Sequence, residues 1–263
     1  MEAATLMKYF FFTIIVVFSN ISAAENNDDY LNYAIPKTAV FREVPFRPTN
    51  ECNKQVRAFV GDQVVAITTY FRGGGVFDKY LYKDGKIHGV SRCFHKNGNV
   101  KFEMPYDNGI RHGVFKQFKE DGALLGSFEM NRGVGIAKIW DEQGVLIEEC
   151  SYVNNEQEGL TKEYYPSGQI RTISKYKSGK LHGFSVSFYK SGKKAGLAYF
   201  KNGELHGVIN KWAEGGNIKA ESPAYWINGE QVTLEMYLEL INNDPIVCDV
   251  KEAEKVLESN EKR

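Results

Sequence analysis

The sequence has few prolines, no excess of charge of either sign and no long apolar run. Only 7 of 263 residues are proline, and Lys+Arg and Asp+Glu each number 33, so overall charge predicts no polyanion partner and argues against nucleic acid. The longest strongly apolar run, residues 9–18, is too short for a bilayer-spanning helix, which needs about 20 residues. Glycine (25), tyrosine (15) and phenylalanine (17) are abundant, which favours short strands and tight turns.

The short apolar run is placed as in an export signal. Lys8 precedes it, and residues 21–24 supply small side chains for cleavage. The sequence therefore predicts a signal peptide over residues 1–24 and a periplasmic or secreted mature protein. An uncleaved anchor is the alternative. Translation can begin at Met1 or Met7, and Met7 gives the more usual positive leader because it avoids an acidic residue at position 2.

An internal repeat of 24 residues dominates the chain. The segment 82–89, Tyr-Lys-Asp-Gly-Lys-Ile-His-Gly, recurs at 106–113, 176–183 and 200–207, and two degenerate copies lie between. Such periodicity indicates a repeat protein in which each unit is stabilised by its neighbours. We expect structural roles for the repeated residues Tyr82, Gly85, His88, Gly89, Tyr106, Gly109, His112, Gly113, Tyr176, Gly179, His182, Gly183, Gly203, His206 and Gly207.

A second series of glycines keeps the same period and closes short polar turns. An aromatic residue stands four positions before each of them, so every period contains two glycine turns separated by strand-length segments. The glycines are Gly74, Gly98, Gly122, Gly144, Gly168, Gly192 and Gly216, and the aromatics are Tyr70, Phe94, Phe118, Trp140, Tyr164, Phe188 and Trp212.

The strand segments alternate with a period of two. Val90, Arg92 and Phe94 share one side of an outgoing strand, with Ser91 and Cys93 between them. The apolar ends of this triplet indicate a half-buried antiparallel strand. On the return strand the same reasoning groups Val100, Phe102, Met104 and Tyr106 on one side, and stacked hairpins then align the aromatics into a ladder.

The pattern Tyr-x-x-Gly-Lys-x-His-Gly, followed by an aromatic and an Asn-Gly turn, resembles the MORN family and its bacterial MORN-variant branch. The resemblance covers roughly residues 58–229. It implies an all-β fold, an elongated single antiparallel sheet of tandem hairpins. It also implies an interaction role, since MORN arrays contact membranes or partner proteins and some bacterial variants are described as antitoxins.

The flanking segments are expected to cap the array. Residues 25–57 form a lead-in with a strand at 39–44, and residues 230–263 form a helical C-terminal cap that protects the last sheet edge. Thr233 is the expected N-cap of a first helix that ends near position 242, and a second helix is expected at 249–257. The first helix is expected to bury Leu234, Tyr237, Leu238 and Ile241.

The cysteines allow three disulfide pairings, which the sequence leaves open. They are Cys52, Cys93, Cys150 and Cys248, and none has the CxxC spacing of a zinc site. The hairpin register separates Cys93 from Cys150 by about five strands, near 24 Å at ~4.8 Å per strand, whereas a disulfide needs Cα atoms within ~7 Å. Free thiols are therefore expected at these two positions.

No catalytic or metal-binding constellation stands out. Four histidines occupy one repeat position, which spaces them ~9–10 Å apart, too far to share a zinc ion with bonds of about 2.0–2.1 Å. We expect them to be structural turn residues. No non-repeating nucleophile, base or carboxylate pair is apparent, so the sequence predicts a protein that is not an enzyme and uses no cofactor.

Charge is unevenly distributed along the array. Residues 120–158 contain nine acidic and two basic residues, residues 161–219 contain eleven basic and three acidic, and residues 230–263 contain nine acidic and four basic. The basic stretch is a candidate site for an acidic protein or an anionic lipid surface. Two alternatives are that these charges only solvate the outer face, or that the acidic tail folds back on them. The candidate partner-binding residues are Lys162, Arg171, Lys175, Lys180, Lys193, Lys194, Lys201 and Lys211.

The leading functional interpretation is an exported, non-catalytic scaffold that binds a protein through its repeat sheet. An antitoxin or immunity-like protein that occludes a toxin, and a membrane-surface protein, are the alternatives.

Overall fold

The structure of the protein is a computed structural model that describes residues 33–240 and Ala253. The predicted signal peptide, Cys248, Ile241 and all of the predicted second helix except Ala253 lie outside the described residues. The chain divides into two compact units, Met1–Gly144 and Val145–Arg263. The described part of both units is almost entirely antiparallel β-structure, which confirms the predicted all-β hairpin fold.

The first unit contains eleven strands in its described residues. They are β1 (Val40–Val44), β2 (Cys52–Val60), β3 (Gln63–Phe71), β4 (Val76–Lys83), β5 (Lys86–Ile87), β6 (Gly89–Phe94), β7 (Val100–Asp107), β8 (Ile110–Arg111), β9 (Gly113–Phe118), β10 (Leu124–Asn131) and β11 (Val134–Trp140). Long strands pair in chain order from β1 to β11, while the two-residue strands β5 and β8 extend the hairpins after β4 and β7. The predicted lead-in strand at 39–44 is β1.

The second unit repeats this meander. Its strands are β12 (Leu146–Val153), β13 (Glu156–Tyr164), β14 (Ile170–Lys177), β15 (Lys180–Phe188), β16 (Lys194–Lys201), β17 (Glu204–Leu205), β18 (Gly207–Lys211), β19 (Ala224–Ile227) and β20 (Glu230–Val232). They too pair in chain order, with β17 as a short extension of the hairpin after β16. Helix α1 (Leu234–Leu240) follows the last strand.

Two kinds of turn alternate, and each explains one glycine series. At one edge both central residues are left-handed, as in Asn108 (φ 49°) and Gly109 (φ 86°), a mirror-image turn whose twist matches that of the strands. At the other edge the amide of Gly98 donates to the carbonyl of His95 at 3.0 Å, and Gly98 has φ 91°. The register shifts beside this turn, between Cys93 and Phe94, because the left-handed glycine forms a bulge.

The deeply buried side of the outgoing strands differs from the one that the sequence pattern suggests. On β6 Ser91 and Cys93 are buried, whereas Val90, Arg92 and Phe94 are partly exposed.

The return strand explains this difference. Met104 lies directly opposite Ser91, and Phe102 lies opposite Cys93, so large side chains of β7 fill the space beside small ones of β6. Of the four residues that the sequence grouped on one side of this strand, Phe102, Met104 and Tyr106 are buried, whereas Val100 is only partly buried. The prediction chose the buried side of each strand from the apolar residues of that strand alone. It therefore missed that a small residue can be buried beside a large residue of the neighbouring strand.

The first C-terminal helix begins where it was predicted, but its burial was predicted wrongly. The amide of Met236 donates to Thr233 Oγ1 at 3.3 Å, which is the expected N-cap. Tyr237 is buried against Tyr225, with ring centroids 5.2 Å apart. Leu234 and Leu238 are about half exposed, whereas Tyr237 is the side chain of α1 that packs on β19. Within residues 33–240 and Ala253, no helix has the length and apolar character to span a membrane.

The three cysteines in the described residues, Cys52, Cys93 and Cys150, are buried and form no disulfide. The expectation that Cys93 and Cys150 are thiols, not half of a disulfide, is confirmed.

Candidate binding face

Successive outgoing strands carry an apolar and then a basic residue on one side of the sheet. In the first unit these pairs are Val90 and Arg92 on β6, Val114 and Lys116 on β9, and Ile136 and Lys138 on β11. Cross-strand pairing fixes the first two pairs on one face, since Glu103 lies opposite both Arg92 and Lys116. Ile136 follows Gly135, which lies opposite the buried Met130, so Ile136 points to the same face as Val114. We call this the repeat face.

An ion-pair network organises the charges of the repeat face. Glu103 Oε1 accepts hydrogen bonds from Arg92 Nε at 3.0 Å and Nη2 at 2.9 Å, while Glu103 Oε2 lies 3.4 Å from Lys116 Nζ. Both basic side chains are more than 40% exposed, so the network adds little stability but orients the charges. The residues of the face are more often basic than acidic. The basic residues are Lys79, Arg92, Lys116 and Lys138, against Glu103 and Glu129.

Apolar side chains of the repeat face are open to solvent in the first unit. Val114 is 48% exposed, and Val134 and Ile136 on β11 are 47% and 50% exposed. Neighbouring exposed apolar residues on a regular sheet are a common feature of binding surfaces.

The equivalent positions are covered in the second unit. Phe184, Val186 and Phe188 on β15 occupy the positions of Val90, Arg92 and Phe94, and they are at most 1% exposed. They form a core cluster with Ala253, which is helical and has no exposed surface. Val186 occupies the position that holds Arg92, Lys116 or Lys138 in the first unit. The buried copy therefore has a neutral residue where the exposed copies have a basic one.

The first hairpins are covered by the lead-in. Tyr33, Ile35 and Ala39 pack against a cluster that includes Ala66 and Leu81, which lie opposite each other on β3 and β4. We call the part of the repeat face around Val114 and Ile136, on β9 to β11, the open repeat face.

The repeated histidines join each turn to the next by a hydrogen bond. His88 Nδ1 accepts a hydrogen bond from the amide of Asn108 at 3.3 Å, one turn further along the sheet. His112, His182 and His206 make the same contact with the amides of Arg132, Asn202 and Asn228, at 3.2 to 3.4 Å. In the described part of the chain, no group of three or more His, Cys, Asp or Glu residues is placed to hold a metal ion.

Polar side chains at the other edge also join successive repeats. The hydroxyls of Tyr165 and Tyr189 each donate to a carbonyl 23 residues further on, those of Phe188 and Trp212, at 2.7 Å. Gln117 bridges to the backbone of Trp140 with two hydrogen bonds, at 2.7 and 3.0 Å. Both edges are thus cross-linked from repeat to repeat, which gives the repeat face a fixed geometry.

The basic candidates of the second unit lie on both faces and both edges of the sheet. Lys162, Lys175 and Lys194 lie opposite Ile173, Leu160 and Phe188, on the covered face, and Lys201 ends the same strand as Lys194.

The other four candidates are placed differently. Arg171 pairs with Glu163 at 2.9 Å, and Lys211 lies opposite Gly196 on the other face. Lys180 and Lys193 flank turns at opposite ends of β15. Binding through the eight residues stays a prediction.

The sequence-based prediction did not include Arg92, Lys116 and Lys138 among the candidate binding residues. The sequence does contain an indication of them, since each of these basic residues stands two positions after the apolar residue that begins an outgoing strand. The sequence-based prediction assigned these positions to half-buried strands and did not consider them for binding.

Two carboxylates are buried beside thiols on the face opposite the repeat face. Asp78 lies opposite Cys93, and burial raises its pKa to about 6, although hydrogen bonds from Thr69 act in the other direction. Its Oδ1 has no hydrogen-bond partner. Burial also raises the pKa of Cys93 well above its usual value, which keeps the thiol protonated and poorly nucleophilic.

The second such pair is Glu148 and Cys150, where the thiol donates to Glu148 Oε1 at 2.9 Å.

The turns, the edge contacts and the repeated face together define a tandem β-hairpin repeat protein. Three segments match the family model of the MORN repeat variant, at residues 87–108, 134–154 and 157–178. Two of these segments overlap the degenerate copies that lack the histidine. The chain therefore contains repeats of the MORN-variant type, as its motifs indicated. No curated protein matches the sequence.

Proposed function

We propose that the protein is an exported, non-catalytic scaffold that binds a protein partner through the open repeat face of its first unit. One observation carries the proposal. Val114 and Ile136 are about half exposed beside basic side chains, whereas the equivalent residues of β15 are covered by the chain itself. A face that the chain covers in one place and leaves open in another is a natural surface for a second molecule.

The composition of the open face favours a protein partner. Apolar side chains supply burial at about 25 cal/mol per Å², and ordered charges beside them supply orientation and specificity. The edge hydrogen bonds keep the strands in place before binding, so little ordering cost remains for the scaffold.

Site-specific photo-crosslinking in cells of the native host tests this proposal. A photoreactive residue is placed at position 114 or 136, and at Asp62 in an exposed turn as the matched control. A protein adduct at 114 and 136 that is missing at 62 is expected. Adducts with lipid alone would establish the membrane-surface alternative instead, and equal labelling at all three positions would reject binding through this face.

Export is tested separately with a reporter fused after Asn26. An exported reporter is expected, and a reporter that stays in the cytoplasm would reject this part of the proposal while leaving the binding face untouched.

A further inference from the structure

We infer that the segment bound by the open repeat face is an acidic amphipathic helix of the partner protein. The inference rests on the proposed function and adds the chemistry of the partner. Three observations carry it: the chain's own occupant of the equivalent positions, the spacing of the apolar row, and the charge beside that row.

The chain's own occupant is helical and comes from an acidic segment. Ala253 has helical backbone conformation and no exposed surface, and it packs in the cluster of Phe184, Val186 and Phe188. Residues 230–263, which contain Ala253, carry nine acidic and four basic side chains. Ala253 thus packs on a sheet face that also bears Lys162 and Lys175.

The spacing of the open row fits a helix that crosses the strands. Equivalent residues of successive hairpins, such as Val114 and Ile136, are two strands apart, which corresponds to ~9–10 Å. Residues seven positions apart on an α-helix are separated by about 10.5 Å along its axis and lie on nearly the same side. An apolar side chain at every seventh position of such a helix therefore lies next to one exposed apolar residue in each successive hairpin.

The charge beside the row selects acidic flanks on the helix. Lys116 and Lys138 follow Val114 and Ile136 by two positions, which places the basic row ~7 Å from the apolar row on the same face. Glu129 lies opposite Val114 within the apolar row, so the helix must place an uncharged or basic side chain between its leucines at that point. Acidic side chains next to the leucines of a docked helix reach these ammonium groups. A helix with basic flanks brings like charges together, which costs binding free energy.

Two synthetic helical peptides test the inference on the full mature chain. Both carry leucine at every seventh position, and they differ only in having glutamate or lysine beside the leucines. The glutamate peptide is expected to bind at least about tenfold more tightly, as measured by fluorescence anisotropy at moderate salt.

In the double variant Lys116→Glu and Lys138→Glu the preference for the glutamate peptide is expected to reverse. The matched control, Lys177→Glu with Lys219→Glu, changes the same charge at exposed positions of the second unit and is expected to keep the wild-type preference.

A second variant protects the test against misfolding. Val114→Thr with Ile136→Thr keeps the charges and the β-branched shape, and it is expected to weaken binding of the glutamate peptide about tenfold with an unchanged thermal midpoint. Equal binding of the two peptides, or a preference that survives charge reversal, would overturn the inference. The proposed function fails on a different result, the absence of protein crosslinks at positions 114 and 136. Crosslinks to a segment that is not an acidic helix, including a second copy of this chain's strands, would reject the inference alone.

Discussion

The carboxylate of Glu158 accepts a hydrogen bond from the backbone amide of Ser178 at 2.9 Å. Glu158 occupies the repeat position that holds histidine in four other copies, and Ser178 is the left-handed first residue of the next turn, with φ 47°. A carboxylate oxygen therefore replaces the imidazole Nδ1 as the acceptor that joins one turn to the next. The copy lacks the histidine of the motif but keeps its contact.

Two substitutions at Glu158 test whether stability depends on the hydrogen bond to Ser178 or on the glutamate itself. Glu158→Ala is expected to lower the free energy of unfolding by about 1 kcal/mol, because the amide of Ser178 loses its acceptor. Glu158→His is expected to remain within about 0.5 kcal/mol of the wild type, since it restores the repeat residue. Urea denaturation measures both values. A loss in the histidine variant as large as in the alanine variant would show that the geometry of this copy has diverged from the repeat.

Gly126 is expected to be far less tolerant of alanine than Gly73. A Cβ atom at Gly126 would lie 2.4 Å from Cε2 of the Trp140 ring, whereas one at Gly73 meets nothing within 4 Å. The ring must move to admit the methyl group, so Gly126→Ala should cost about 1–3 kcal/mol. Gly73→Ala is the matched control and should change stability by less than about 0.5 kcal/mol. Thermal unfolding followed by circular dichroism compares the two, and equal midpoints would contradict the close contact.

Asp78 is expected to make the protein less stable as the pH rises. Its folded pKa of about 6 lies above the ordinary value of 3.8, so the folded state binds this proton more tightly than the unfolded state. The resulting stabilisation is complete below about pH 4 and is lost as the pH passes about 6; at roughly 1.4 kcal/mol per pKa unit it amounts to about 3 kcal/mol.

Asp78→Asn removes this titration, so its stability should fall less than that of the wild type between mildly acidic and neutral pH. Asp62→Asn, at an exposed turn, serves as the control. Parallel pH profiles for the wild type and the Asp78 variant would exclude Asp78 as the cause.

Lysine at the basic repeat position should be harmful only where the chain covers that position. Val186→Lys places an ammonium group at a fully buried site and is expected to cost more than about 3 kcal/mol. Ile136→Lys, half exposed on β11, should change stability by less than about 0.5 kcal/mol. Urea denaturation of both variants is the measurement, and a well-tolerated Val186→Lys would mean that Val186 becomes accessible to water readily in solution.

Local residue chemistry made the hairpins predictable from sequence. Asn108 and Gly109 form a turn that needs two left-handed residues, and a polar residue followed by glycine is the pair that tolerates it best. The 24-residue period, the strand-length segments between turns and the structural histidines follow from such short-range preferences. The N-cap at Thr233 is local in the same way, because the capping contact spans only three residues.

The side of each strand that is buried depended on its neighbours. Ser91 is buried because Met104 lies opposite it, and Leu238 is half exposed because α1 meets the sheet mainly through Tyr237. Neither outcome is visible in the hydropathy of the strand or helix taken alone.

The sequence by itself determined the repeat and its turns, since these arise from residues adjacent along the chain. Only the tertiary structure decided which repeat positions remain exposed. Ala253 reaches Phe184 across 69 residues of sequence, and Tyr33 reaches the carbonyl of Tyr82 across 49, at 2.7 Å. Such long-range contacts cannot be recognised in the sequence, because they involve a few apolar side chains of a flanking segment that do not follow the repeat period. At Val114 and Ile136, where no flanking segment among residues 33–240 covers the face, the same repeat residues remain exposed.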